Sequence, residues 1–64
     1  MTVNTVVYRR RHGMPPRGSR RWKFRLSSED QSIVLECRGS YAGARRKAFN
    51  AAKWWGLKEV AVLP

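Results

Sequence analysis

Cysteine is almost absent. Cys37 stands alone, so no internal disulfide can form and no cysteine cluster can hold zinc. A lone cysteine reads most simply as a small core hydrophobe. Histidine is as scarce: His12 has no second histidine, no cysteine pair and no neighbouring carboxylate with which to build a metal site or an acid–base pair, and it reads as a loop residue. Only four acids are present, Glu29, Asp30, Glu36 and Glu59, and they form no catalytic spacing. The chain is therefore expected to be no enzyme, with no catalytic residue, no metal and no cofactor. No apolar run approaches the roughly 20 residues of a membrane span, and the first residues lack the apolar stretch of a signal peptide. An intracellular chain with no membrane partner is expected, associated with the nucleoid if DNA is what it binds.

Basic residues, by contrast, abound. Fourteen Lys and Arg against four acids give a formal charge of +10 on 64 residues. Self-repulsion on that scale destabilises a compact state unless an anionic partner relieves it. Ten of the fourteen are arginine. The planar guanidinium fork suits bidentate contacts to phosphate and guanine, whereas mere solubility is served equally by lysine. A chain this short is one domain, residues 1–64, with a compact core and no room for a second site.

The order of elements is read along the chain. Residues 2–11, TVNTVVYRRR, are β-branched and then basic, which predicts a first strand starting near Val3 or Thr5. Residues 12–19, HGMPPRGS, predict a flexible loop, having two glycines, two prolines and no periodicity. RRWKFRLSS over 20–28 alternates cleanly, with Trp22, Phe24 and Leu26 on one face and Arg21, Lys23, Arg25 and Ser27 on the other. Glu29, Asp30 and Gln31 make a polar turn. SIVLECR then sets Ile33, Leu35 and Cys37 against Ser32, Val34, Glu36 and Arg38, and Gly39 breaks the strand.

Ser40 is placed to cap a helix from Tyr41 to about Trp55, whose inner side gathers Tyr41, Ala44, Ala48, Ala51, Ala52 and Trp55, and Gly56 ends it. EVAVLP either adds a short fourth strand or packs along the helix. The expected fold is α+β: a three-stranded antiparallel sheet covered on one face by one α-helix, in the order β-β-β-α, with the tail as the optional fourth strand.

Period two then carries a functional consequence. If Trp22, Phe24, Leu26, Ile33, Leu35 and Cys37 face the helix, the open face carries Arg21, Lys23, Arg25 and Arg38. With Val6 and Tyr8 turned inward the first strand adds Val7, Arg9 and Arg11 to that face; in the opposite register it adds Arg10. Polar residues are expected on the open face of any antiparallel sheet, but uniform sign is not. From Arg9 to Arg25 there are eight basic residues and no acid, and like charges opposed across strands cost stability.

Candidate nucleic-acid contacts are accordingly Arg9, Arg11, Arg17, Arg20, Arg21, Lys23, Arg25 and Arg38, with Arg17 and Arg20 on phosphates. Arg45, Arg46, Lys47 and Lys53 form a secondary basic patch on the helix, of a kind that helix surfaces routinely carry. Trp54, beside Trp55, belongs either to the core edge or to a stacking, dimer or protein-anchor contact.

YRRR, WKFRL, IVLECR and ARRKAFNAAKWW, in that order, resemble the sheet-reading DNA-binding domain shared by plant ethylene-response factors and the arm-site-binding domains of tyrosine integrases. The resemblance implies a sheet entering the major groove, with Arg9, Arg11, Arg25 and Arg38 facing the bases and Ala48-Phe49 standing for that family's helix pair. The family's glycine after the first arginine is missing, and Arg25 replaces its acid after the second-strand tryptophan. GSYAGARRKAFNAA is also similar to the end of the double-stranded-RNA-binding domain, which would put Arg45, Arg46 and Lys47 on phosphates; that family's amino-terminal helix is not expected here.

The leading expectation is duplex-DNA binding, ahead of RNA, in an accessory or regulatory role of phage or mobile-element type. The alternatives are a small inhibitor or adaptor on an acidic protein surface, with Trp54 as anchor, and an RNA- or ribosome-associated binder. Oligomeric state is left open.

Overall fold

The computed structural model describes residues 2–64. The chain runs β1 (Val3–Asn4), α1 (Val6–His12), β2 (Ser19–Ser27), β3 (Ser32–Ser40), α2 (Tyr41–Trp55) and β4 (Glu59–Val62). It is an α+β fold with one four-stranded sheet in the order β1-β4-β2-β3. Strands β4, β2 and β3 are antiparallel, and β1 lies parallel to β4. Three antiparallel strands pack on α2 as expected, but the third of them is the C-terminal tail, β4, and not the N-terminal segment. Among the described residues no helix is long and apolar enough to cross a membrane.

The β2–β3 pair obeys the alternation. Trp22, Phe24 and Leu26 are buried while Arg21, Lys23 and Arg25 are exposed. The turn is tighter than expected, with Ser28 N–H donating to the Gln31 carbonyl at 2.9 Å, so that only Glu29 and Asp30 lie between. β3 does not break at Gly39; it continues to Ser40 because β2 continues to Ser19 and keeps the ladder paired, Arg20 opposite Gly39.

The N-terminal segment differs from expectation. Residues 6–11, expected as strand, and His12, expected in the loop, form α1, and with Ser19 already in β2 the connection runs only from Gly13 to Gly18. The Asn4 Oδ1 accepts from the Val6 N–H at 2.9 Å, Arg9, Arg10, Arg11 and His12 occupy the last turn, where positive charge opposes the helix dipole favourably, and Gly13 closes the helix at φ 71° with its N–H on the Arg9 carbonyl. These end effects outweigh the weak strand preference of Val6 and Val7. The place beside β2 expected for a first strand is taken by β4, with Phe24 opposite Val62 and Leu26 opposite Val60. Gly13→Ala is expected to cost about 1 kcal/mol because a Cβ is strained at that positive φ, seen as a drop in Tm of about 4–8 °C.

The core lies between sheet and α2. Trp22, Phe24, Leu26, Val60 and Val62 are fully buried, and Ala44, Ala48 and Ala52 let the helix backbone lie close on them. The Ser40 hydroxyl accepts from the Gly43 N–H at 3.2 Å, which is the N-cap expected of it. The other end corrects an expectation. Trp55 is 59% exposed rather than packed. A Schellman turn at Gly56, with the Leu57 N–H on the Ala52 carbonyl, folds the chain back so that Leu57 fills the core there instead. Ile33, at the sheet edge, is also left partly exposed.

Candidate nucleic-acid interface

The outer face of the sheet is set by the ladder. Arg21 stands opposite Arg38, Lys23 opposite Glu36, and Arg25 between Val34 and Ala61. Arg21, Lys23, Arg25 and Arg38 are therefore brought together on the side away from α2, all exposed. Arg21 Nε reaches the Glu36 carboxylate at 2.9 Å, diagonally across the strands. Both side chains are about half exposed, so this pair orients Arg21 more than it stabilises the fold. Arg38, directly opposed to Arg21, makes no ion pair among the described residues.

Arg9 and Arg11 are not on this face. They lie exposed on α1, whose Tyr8 is buried against Trp22 at 5.7 Å between ring centroids. The expected contribution of the first strand to the basic face is thus corrected: β4 contributes Glu59 and Ala61 instead. Arg20 shares the parity of Trp22 and lays its guanidinium over that indole, 5.1 Å from the ring centroid. Arg17 is exposed in the loop between α1 and β2, where Pro16 is buried.

A groove of about 220 Å³ where β4 ends is lined by Arg20, Arg21, Trp22, Lys23, Leu63 and Pro64. The Trp22 Nε1 is buried and without a hydrogen-bond partner. Tyr41 meets Trp22 edge-on at 5.1 Å; burial raises its pKa above the usual tyrosine range and Arg45 draws it part of the way back. Burial here favours the neutral phenol, a stabilisation present below the ordinary tyrosine pKa and lost as the pH rises through the raised one.

Charge is divided between the two ends of the sheet. Arg20, Arg21 and Arg38 lie at the end where β2 starts and β3 stops, and α1 docks there through Tyr8 and Trp22. Glu29 and Asp30 form the opposite hairpin turn, and Glu59 pairs with Ser27 beside them. In the helix patch Arg45, Arg46, Lys47 and Lys53 are exposed, with Arg45 over the Phe49 ring at 5.9 Å. Trp54 is 82% exposed near the acidic end.

This polarity went unread in the sequence because it depends on which strand flanks β2. The signal for α1 was present, however: asparagine and threonine, then a basic last turn, then glycine. No family model, curated protein or solved structure matches the chain.

Proposed function

We propose that this is a small nucleic-acid-binding protein that engages duplex DNA through the open face and basic end of its sheet, in an accessory or regulatory role. The observation that carries this reading is the β2–β3 register, which sets Arg21, Lys23, Arg25 and Arg38 on one surface with Arg21 and Arg38 at directly opposed positions. Opposed like charges are unfavourable in the free protein, and a phosphate oxygen between Arg21 and Arg38 turns the repulsion into two charge-assisted hydrogen bonds.

Shape supports the same reading. β4 reaches only as far as Phe24, so residues 19–22 and 37–40 continue as a two-stranded ribbon, the width of β-structure that a B-form major groove admits. Arg17 and Arg20 flank the ribbon as phosphate contacts, and Arg9 and Arg11 add positive charge from α1.

The test is fluorescence anisotropy of the chain with a random DNA duplex, a matched RNA duplex and single strands, each titrated against salt. Tightest binding to duplex DNA, with log K falling steeply against log salt, supports the proposal. A preference for the RNA duplex moves the assignment to the RNA reading, for which α1 supplies an amino-terminal helix. No binding at physiological salt moves it to an acidic protein partner, the reading that the bare indole of Trp54 favours.

A further inference from the structure

The two edges of the sheet are built differently. At one, β1 has two residues before the chain leaves for α1. At the other, β3 runs nine residues in an unbroken register with β2 and has, among the described residues, no strand on its far side. Long open edges invite pairing and are ordinarily blunted by proline, lysine, a bulge or a covering segment. β3 has no proline, no lysine and no register bulge, its only departure from strand backbone is Gly39 near its end, its two charges, Glu36 and Arg38, are of opposite sign, and every residue from Ser32 to Ser40 except Leu35 and Cys37 is exposed.

The direction of its free hydrogen-bonding groups follows from two bonds. Ser28 N–H to the Gln31 carbonyl puts the bonded β2–β3 rungs on even positions of β2 and odd positions of β3, and Leu63 N–H to the Lys23 carbonyl turns the odd positions of β2 toward β4. Alternation therefore aims the backbone N–H and C=O of Ser32, Val34, Glu36 and Arg38 away from the sheet, whereas Ser40, beyond the positive φ of Gly39, is committed to capping α2. The side chains of those four share the outer face. Glu36 and Arg38 sit symmetrically about Cys37.

We infer that two copies of this chain associate by antiparallel pairing of their β3 edges about a two-fold axis at Cys37, with Glu36 of each copy opposite the partner's Arg38. Neighbouring registers do not oppose the charges: an axis at Glu36 or at Arg38 sets like against like, and an axis at Leu35 sets Glu36 against Val34. In the chosen register Glu36 bridges Arg21 of its own strand pair and the partner's Arg38, which uses both carboxylate oxygens. On the helix side the partner's edge lies beside the half-covered Leu35. The product is a continuous eight-stranded sheet whose two basic faces lie side by side, an isologous interface closed at two copies. The pairing occupies the free edge of the 19–22/37–40 ribbon and engages Arg38, so the nucleic-acid-free dimer and ribbon entry into a groove are competing states of one surface, and the pairing is tested without nucleic acid.

The measurement is sedimentation velocity of the nucleic-acid-free chain over a range of protein and salt concentrations. Wild type is expected to form a dimer that strengthens as salt rises, because screening weakens the repulsion between two +10 bodies; nucleic-acid binding weakens over the same range, so the two readings fail separately. Glu36→Arg and Arg38→Glu are each expected to weaken the dimer about a hundredfold by placing like charges opposite one another twice.

The Arg38→Glu loss is the sharper result, since that change lowers net charge and would strengthen an association limited by repulsion alone. The double reversal, Glu36→Arg with Arg38→Glu, restores the dimer. Val34→Pro removes only an outward N–H and is expected to give a monomer with an unchanged circular dichroism spectrum. A wild-type chain that stays monomeric throughout, or a double reversal as weak as the singles, overturns the inference.

Discussion

Changing Arg21, Lys23 and Arg25 together to alanine is expected to weaken duplex-DNA binding about a hundredfold at physiological salt and to reduce the slope of log K against log salt by about 2.7, at roughly 0.9 for each phosphate left without its cation. The fold should survive. All three side chains are exposed on the outer face, and none contributes to the core. Loss of Arg21 frees Glu36 from its ion pair but also removes the repulsion with Arg38, so the two local effects oppose one another. The control is the matching change of Arg45, Arg46 and Lys47 on α2, the helix that covers the other face of the sheet. An equal loss from that control would mean that binding follows total charge and not the sheet face. A loss confined to the sheet triple assigns the interface to the open face.

The alternation in RRWKFRLSS was enough to identify β2, its buried face and its basic face, because period two is a local property that a one-residue slip would invert completely. SIVLECR was almost as legible, except that Ile33 at the sheet edge lacks full cover. α2 was read with its Ser40 cap and its Gly56 stop, since helix ends are encoded within a few residues. What failed was what depends on distant partners. TVVYRRR has strand-like valines, and its choice of helix rests on Asn4 and Gly13 at its ends and on Tyr8 docking on Trp22.

The place left beside β2 then went to β4, thirty-odd residues further along the chain. That exchange took Arg9 and Arg11 off the sheet face and put Glu59 and Ala61 on it, so the site is a basic end and not a uniformly basic surface. Trp55 failed for a related reason: helical periodicity places it inward, but the backbone reversal at Gly56 brings Leu57 into the space first.

Phe24→Ala is expected to remove most of the chain's stability. Phe24 has no exposed surface, sits on the strand flanked on both sides, opposite Leu35 on β3 and Val62 on β4, and stacks on Tyr41 at 6.3 Å. Truncating a buried phenylalanine costs about 3–5 kcal/mol. The upper part of that range applies because the helix residues above the sheet, Ala44, Ala48 and Ala52, are already small and leave no long side chain to collapse into the void. A chain of 64 residues holds roughly 3–10 kcal/mol in total.

Urea titration should therefore find the variant largely unfolded or with its midpoint near zero denaturant, whereas Val34→Ala, on the outer face and 60% exposed, should move the midpoint little. A loss below about 1 kcal/mol for Phe24→Ala, of the size typical of peripheral sites, would mean that the inward face of β2 has been misassigned. Because a ligand that binds only the folded state adds about 2.7 kcal/mol at a hundred times its Kd, saturating duplex DNA should refold much of the Phe24→Ala protein. The same duplex should fail to do so once Arg21, Lys23 and Arg25 are also alanine, which ties the stability of the buried face of β2 to the charge on its exposed one.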